Sequence, residues 1–388
     1  MIAANDTDIQ QFNQDTYSYM WPRDGAEVSQ ALDRAGYGSL SRRFLNFCTQ
    51  KAASFNYSAS ILDETGFLMH KYNPDGSVGS SWQPWLDGDE MQFPIQEDET
   101  ALVVWAIWQH YLINRDIEVI RPFFSPFVKR AADFLLAFRD DKTGLPLPSF
   151  DLWEERRGIF SYTCATVIGG LKAAAALARL FQENERADGY ANAAHEVATA
   201  MDAHLYNPTE GRYARGILFK DGRQELDMTV DASLLGLVAF GDYDPLDMRI
   251  AGTALAVEQR LWVKSGIGGL ARYERDNYQR AESRGDVPGN PWVVCTLWLA
   301  QYRIAAARDL PSLKLALPLL EWVAARALPS GVLPEQVHPD SGEFLSVSPL
   351  TWSHGTLVAT VLDYAEKAQS LGDREALPAA ALAGMEMG

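Results

Sequence analysis

The strongest fold signal is Glu99–Asn114, ETALVVWAIWQHYLIN, which is apolar on nearly all of its faces. A helix with this pattern is buried on most sides. Phe160–Glu183, FSYTCATVIGGLKAAAALARLFQE, has the same character, whereas Ala187–Leu205, which follows it, is more polar. This alternation of an apolar helix with a more polar one predicts an inner and an outer ring of helices.

The alternation continues along the chain and predicts about twelve helices in six hairpins. We therefore predict an all-α fold, an (α/α)6 barrel, with small β-hairpins in its loops. The sequence has no repeat of fixed period, which argues against a solenoid. The other predicted helices are 26–35, 40–53, 117–139, 232–240, 246–261, 291–308, 313–327, 350–371 and a short tail helix at 374–384.

Two segments carry strand and turn signals. Tyr213–Leu218 is followed by Asp221-Gly222, and Phe67–Tyr72 is followed by Asn73-Pro74-Asp75-Gly76. An Asp-Gly pair between strand-forming residues is typical of a tight hairpin turn. We expect a small hairpin at each place.

Composition limits the classes of function. The 388 residues carry a formal net charge of −17, and 47% of them are hydrophobic, which is enough for a large core. Nucleic acid is excluded as a partner by this charge, because such binding depends on Lys and Arg neutralising phosphates. A neutral polar ligand such as a sugar fits it better.

No cofactor, metal or membrane is expected. The cysteines Cys48, Cys164 and Cys295 form no metal or redox motif, and we interpret them as buried free thiols. The histidines are scattered, and Asp87-Gly88-Asp89-Glu90 lacks the calcium-loop pattern. No apolar run approaches the ~20 residues of a membrane span. The first residues carry no signal-peptide pattern, so we expect a cytoplasmic protein.

The functional signal lies in five long connections that are rich in Trp, Tyr, Arg, Asp and Glu. Loops of this composition usually build a site on a rigid scaffold. Aromatic rings can cover the apolar faces of a sugar ring, and charged groups can hold several hydroxyls at once. The five connections are 16–24, 79–99, 148–162, 266–292 and 329–352.

Hydrolysis of a glycosidic bond needs two carboxyl groups on opposite sides of the bond. One of them must be protonated, and burial or a neighbouring carboxylate raises its pKa. Trp153-Glu154-Glu155 places adjacent acids beside an indole, and Glu335 follows Pro334 in a loop. These glutamates are the candidate acid and base.

Eight short segments, in order, resemble the catalytic domain of glycoside hydrolase family 15, the glucoamylase family, and its bacterial members in particular. The similarity covers nearly the whole chain. The segments are Tyr17-Ser-Tyr-Met-Trp-Pro-Arg-Asp24, Gly79-Ser-Ser-Trp82, Pro94-Ile-Gln-Glu-Asp-Glu-Thr-Ala-Leu102, Asp151-Leu-Trp-Glu-Glu-Arg156, Arg272-Tyr273, Gly289-Asn-Pro-Trp292, Pro334-Glu-Gln336 and Leu350-Thr-Trp-Ser353.

The resemblance implies an (α/α)6 barrel that hydrolyses α-glucans from their non-reducing ends with inversion, releasing β-glucose. It implies that Glu154 is the general acid and Glu335 the general base. Arg23 and Asp24, with Arg272 beside them, would hold the terminal glucose. The other substrate-binding residues that it implies are Tyr17 and Trp82 near the cleavage point, Glu155 at the next subsite, Trp352 at the pocket floor, and Trp21 and Trp153.

Several alternatives stay open. The linkage cut is α-1,4, α-1,6 as in isomaltose and dextran, or that of trehalose, and a phosphorolytic or purely sugar-binding relative is a further class. Bacterial members of the family usually carry a β-sandwich domain before the barrel. Here we expect residues 1–388 to form a single barrel domain without it. The sequence does not determine the oligomeric state.

Overall fold

Helices dominate the computed structural model, which describes residues 1–4, 17–54, 66–81, 86–87, 90–91, 93–220 and 222–372. The helices are α1 (Pro22–Arg34), α2 (Gly38–Ser54), α3 (Glu97–Asn114), α4 (Ile117–Phe123), α5 (Lys129–Ala137), α6 (Ser161–Leu180), α7 (Asn184–His204), α8 (Gly236–Ala239), α9 (Met248–Leu261), α10 (Val293–Ala306), α11 (Leu310–Leu313), α12 (Leu317–Ala324) and α13 (Thr351–Ser370).

Six of these helices close an inner ring. Each of α1, α3, α6, α8, α10 and α13 packs against the next, and α13 packs back against α1. The predicted inner helices Glu99–Asn114 and Phe160–Glu183 correspond to α3 and α6. Every residue in the first turn of each of these two helices is buried. The inner ring of the predicted (α/α)6 barrel is therefore confirmed.

The outer helices are less regular than the sequence predicted. α2, α4 with α5, α7, α9, and α11 with α12 follow successive inner helices and pack outside them. The predicted helix 117–139 is broken into α4, a π-helical turn at Phe124–Val128, and α5. Pro122 lies inside the broken segment, where it removes a backbone donor. The predicted tail helix 374–384 lies outside the described residues.

Helix α6 has the apolar composition that an inner position requires. It is long and apolar enough to cross a membrane, but 78% of its most apolar window is buried inside the protein. Its composition is therefore that of a core helix. Cys48, Cys164 and Cys295 are free and buried, as predicted.

The described strands form three antiparallel pairs and one four-stranded antiparallel sheet in the connections between helices. The hairpin predicted after Tyr213–Leu218 is confirmed as the antiparallel pair of β7 (Gly216–Lys220) and β8 (Arg223–Asp227), although β7 begins at Gly216 and not at Tyr213. The other predicted hairpin is only partly formed, because Tyr72 makes isolated bridges to Met20 and Val78. The strands are β1 (Leu86–Asp87), β2 (Glu90–Met91), β3 (Ser149–Phe150), β4 (Arg157–Phe160), β5 (Tyr206–Asn207), β6 (Arg212–Tyr213), β7 (Gly216–Lys220), β8 (Arg223–Asp227), β9 (Gln336–Val337) and β10 (Phe344–Leu345).

Close packing of α3 on α6 gives a test of the inner ring. A Cβ at Gly170 would lie 2.8 Å from the Ala101 carbonyl oxygen, which belongs to the backbone of α3 and cannot move cheaply. We expect Gly170→Ala to destabilise the protein by about 1–3 kcal/mol. Thermal unfolding measures this loss.

The matched control is Gly189→Ala on the outer helix α7, where a Cβ meets nothing within 4 Å. This change should stabilise the protein by about 0.5–1 kcal/mol, because alanine has the higher helix propensity. Equal melting temperatures for the two variants would contradict the assignment of α6 to a close-packed inner ring.

Candidate active site

A cavity of about 460 Å³ lies at the N-terminal end of the inner helices. Trp21, Trp292 and Leu350, which directly precede α1, α10 and α13, all line it. Ten of the eleven predicted site residues line this cavity, and the eleventh, Trp82, lies outside the described residues. The ten are Tyr17, Trp21, Arg23, Asp24, Trp153, Glu154, Glu155, Arg272, Glu335 and Trp352.

Glu154 lies in the tight loop between β3 and β4. Asp151 shapes this loop, because its Oδ1 accepts hydrogen bonds from the backbone N–H of Glu155 (2.8 Å) and of Arg156 (3.0 Å). Glu154 itself has a φ of 57°, a left-handed conformation that is uncommon for a residue other than glycine. The loop thus holds Glu154 in a strained backbone conformation, as is frequent at functional sites.

The carboxylate of Glu154 has two partners from distant parts of the chain. Trp21 Nε1 donates a hydrogen bond to Oε1, and Lys71 Nζ lies 3.2 Å from Oε2. The side chain of Lys71 is fully buried, whereas that of Glu154 is 11% exposed. Each of the two carboxylate oxygens of Glu154 is therefore stabilised by its own partner, and the carboxyl group still lines the cavity.

Glu335 directly precedes β9 and lines the same cavity as Glu154. Its backbone N–H donates to the Val347 carbonyl (3.0 Å), and its carbonyl accepts from the Val293 N–H at the start of α10 (3.1 Å). The residue is only 3% exposed. The two glutamates are thus held by independent elements, and both line the one cavity.

Burial raises the pKa of Glu335 above its usual value. Hydrogen bonds from Ser346, from Gln336 (Nε2 to Oε2, 3.0 Å) and from Tyr17 oppose this rise, as does the positive charge of Arg272. Tyr17 in turn shares a hydrogen bond with Tyr278. Glu335 is therefore a buried carboxyl group inside a hydrogen-bonded network of polar side chains.

Arg23 forms the centre of a buried ion cluster at the start of α1. Its Nη1 lies 3.0 Å from Asp98 Oδ2 and 3.2 Å from Glu99 Oε1, and its Nη2 lies 3.3 Å from Asp24 Oδ2. Burial raises the pKa of Asp24 to about 6, against the charge of Arg23, which lowers it. Arg23 and Asp24 are both cavity residues, so this cluster presents a paired cation and carboxyl group to a ligand.

Arg272 lies among aromatic rings on another wall. Its guanidinium carbon is 4.8 Å from the ring centre of Trp292 and 4.9 Å from those of Trp153 and Tyr278. Its Nη2 donates to Glu155 Oε1 at 2.7 Å. Arginine stacked on rings in this way is held rigidly. The wall therefore fixes the orientation of Glu155.

Tryptophans close the bottom of the cavity. The ring centres of Trp153 and Trp352 are 6.5 Å apart, and each packs on Trp298, at 6.0 and 5.6 Å. Trp352 Nε1 donates to Glu27 Oε2 at 2.9 Å. We call Trp153, Trp298 and Trp352 the tryptophan floor.

Sequence reasoning missed several of these residues. Lys71 and Glu27 carry no signal, because their partners are 83 and 325 positions away in the chain. Tyr278, Gln279 and Ser346 line the cavity and lie in the predicted site connections 266–292 and 329–352, but in none of the eight family-like segments. Within the part of the chain that the structure describes, no group of His, Cys, Asp and Glu is arranged to hold a metal ion.

The geometry agrees with comparisons to known proteins. Residues 1–362 match the model of Glycosyl hydrolases family 15. The chain belongs to this family. The family predicted from the eight segments is therefore confirmed.

Relatives with different substrates match to a similar extent. The chain is 27% identical to a glucoamylase of Clostridium sp., over 88% of this chain and 46% of that protein. It is 27% identical to the isomaltose glucohydrolase of Kribbella flavida (87% and 82%), and 23% identical to trehalase 2 of Sulfolobus acidocaldarius (90% and 57%). This chain thus spans about half the length of several relatives.

The fold is that of a solved bacterial glucoamylase in complex with acarbose, with a TM-score of 0.70 at 23% identity. The match covers 90% of this chain and 49% of that one. Glucoamylases have an (α/α)6 barrel, which agrees with the closed inner ring described above.

Glu27, below the floor, gives a test of the site's electrostatics. Burial raises its pKa from 4.5 to about 7, so it is uncharged in the folded protein at acidic pH. Its contribution to stability is therefore full below pH 4.5 and is lost as the pH rises through 7. The loss is on the order of 2 kcal/mol once partial exposure is discounted.

We expect Glu27→Gln to remove this loss, since the amide oxygen can still accept the hydrogen bond from Trp352. The variant should gain about 2–4 °C in melting temperature over the wild type at pH 8, and much less at pH 4. Thermal unfolding at both pH values measures this. An equal shift at both would show that Glu27 does not ionise in this range.

Proposed function

We propose that this protein is an inverting, exo-acting α-glucoside hydrolase that releases β-glucose from the non-reducing ends of α-glucans. The observation that supports this most directly is the placement of Glu154 and Glu335, on two independent elements, in the wall of one cavity. An inverting glycosidase needs two carboxyl groups with room between them for the sugar and a water molecule.

Glu154 is the general acid in this proposal. It protonates the glycosidic oxygen as the bond to the leaving group breaks, and is left as a carboxylate. The Trp21 indole N–H and the Lys71 ammonium group then stabilise that carboxylate, because each already contacts one of its oxygens. Groups that are placed before the reaction need no reorganisation during it.

Glu335 is the general base. It takes a proton from a water molecule, which attacks the anomeric carbon from the opposite face. Burial raises the pKa of Glu335, and a carboxylate with a higher pKa is a stronger base. Tyr17, which hydrogen-bonds to Glu335, is placed to orient the same water.

The tryptophan floor supports exo action. Because Trp153 and Trp352 close the cavity below, a chain end can enter but a chain cannot pass through. Arg23 and Asp24 lie beside this floor, where their polar atoms can bind the hydroxyls of a terminal glucose. Asp24 Oδ2 is buried and lies 3.3 Å from Arg23 Nη2, and it accepts no further hydrogen bond from the described residues, which leaves it able to accept one from a hydroxyl.

A different linkage is the second candidate. The isomaltose glucohydrolase of K. flavida is matched over 82% of its own length, and trehalase 2 of S. acidocaldarius is a relative too. The residues proposed to hold the first glucose and to cut the bond would be the same for each substrate. Linkage depends on the contacts beyond that glucose.

The assigned roles predict different defects for two variants. Glu335→Gln should lower kcat about 10²–10⁴-fold on every substrate, because the base is lost. Glu154→Gln should cause a similar loss on maltose but much less on α-glucosyl fluoride, whose leaving group needs no proton. Steady-state kinetics on both substrates measure this.

Glu343→Gln is the matched control, since Glu343 is an exposed glutamate of the same segment as Glu335. It should leave kcat unchanged. Full activity of Glu335→Gln would refute the assigned base. Equal losses of Glu154→Gln on both substrates would refute the assigned acid.

The stereochemistry and the linkage can be measured on the wild type. Proton NMR of early hydrolysis should show β-glucose before mutarotation, and α-glucose as the first product would exclude inversion. Initial rates on maltose, isomaltose, trehalose, dextran and soluble starch then rank the linkages. We expect maltose and soluble starch to give the highest rates; a preference for isomaltose or trehalose would favour the second candidate.

A further inference from the structure

A second cavity, of about 250 Å³, lies on the other side of the tryptophan floor. Its walls are formed by α1, α3, α10 and α13, at positions beyond their first turns, and by the short helix α8 with its flanking residues. No residue lines both this cavity and the candidate active site. We call it the axial cavity, because it lies within the inner ring.

The walls of the axial cavity combine aromatic and hydrogen-bonding groups. Trp105 and Trp298 contribute indole rings, and Gln30 and Gln301 contribute amides. Its one arginine, Arg34, is paired with an aspartate of the same cavity through a 2.6 Å contact. Since that positive charge is compensated, the walls favour a neutral ligand.

Glu27 also lines the axial cavity, and its two oxygens differ. Oε2 accepts the hydrogen bond from Trp352, whereas Oε1 is buried and accepts none from the described residues. A buried acceptor without a partner is costly. A ligand with hydroxyl groups in the axial cavity would supply the missing donor.

The size of the axial cavity limits the ligand. Its volume equals that of about eight water molecules at ~30 Å³ each. It is smaller than the ~300–1,000 Å³ of sites for drug-sized ligands. We propose that the axial cavity binds one neutral, hexose-sized polyol, such as glucose, and that this ligand acts on the tryptophan floor through Glu27 and Trp352.

The coupling follows from the hydrogen bond between Trp352 and Glu27, which links the two cavities. Trp352 lines the candidate active site, and its indole N–H is bound to a residue of the axial cavity. A hydroxyl that hydrogen-bonds Glu27 therefore changes the environment of the floor on which the substrate rests. Such coupling is reciprocal, so substrate must change the affinity of the axial cavity by the same factor. The coupling to substrate rests on the proposed function, whereas ligand binding in the axial cavity does not.

Equilibrium dialysis with labelled glucose at millimolar concentration tests the binding. The filling variant is Ala305→Phe, because Ala305 lines the axial cavity and does not line the candidate active site. The matched control is Ala324→Phe on the outer helix α12, where the alanine is exposed. We expect the wild type and the control to bind one more glucose than Ala305→Phe.

A second, milder variant keeps the test valid if Ala305→Phe does not fold. Gln301→Ala should keep the extra glucose site but weaken it about fivefold, the effect of one lost hydrogen bond. Equal glucose stoichiometry for the wild type, the control and Ala305→Phe would show that the axial cavity holds only water. That result would overturn the proposal whether or not the protein hydrolyses glucans.

Product inhibition tests the coupling. Glucose should inhibit hydrolysis by the wild type with a mixed pattern, lowering kcat as well as raising KM, because it binds at both cavities. In Ala305→Phe the pattern should become purely competitive. Purely competitive inhibition of both proteins would overturn the coupling, even if dialysis detects the second site.

Discussion

The site depends on how the chain accommodates one buried cation. The side chain of Arg23 is only 4% exposed, and a charge in such a place is tolerated only when partners surround it. Asp98 and Glu99 supply those partners from α3, and Trp352 of α13 lies 5.4 Å from the guanidinium group. Three inner helices must therefore meet at their N-terminal ends, and this meeting forms the floor and wall of the cavity.

This arrangement collects more carboxyl groups than it has cations. Burial raises the pKa of Asp24 to about 6 and that of Glu27 to about 7, and it also raises that of Glu335. Ionised forms of such groups destabilise the folded state as the pH rises. Shifted pKa values of this kind are concentrated at functional sites, because acid–base chemistry needs them. The protein thus gives up stability at the place where the proposed proton transfers occur.

The proposed acid and base are held by contrasting means. A short loop between β3 and β4 holds Glu154 at a φ of 57°, with Asp151 binding the backbone beyond it. Glu335 is fixed through its backbone to α10 and to the segment before α13. Because the two are attached to different parts of the ring, the cavity lies between them. Below the floor, Glu27 connects this site to the axial cavity.

The sequence by itself determined which helices are inner, since an all-round apolar pattern has to be buried, and it determined which loops carry the candidate site. Ten of the eleven predicted site residues accordingly reach one cavity. It also held the signal for the break near Pro122, which the prediction of one helix at 117–139 overlooked. Only the tertiary structure decided the contacts of Lys71 with Glu154 and of Glu27 with Trp352, and the existence of the axial cavity. Periodicity records that a face is buried, but residues 83 or 325 positions apart meet only when the ring closes.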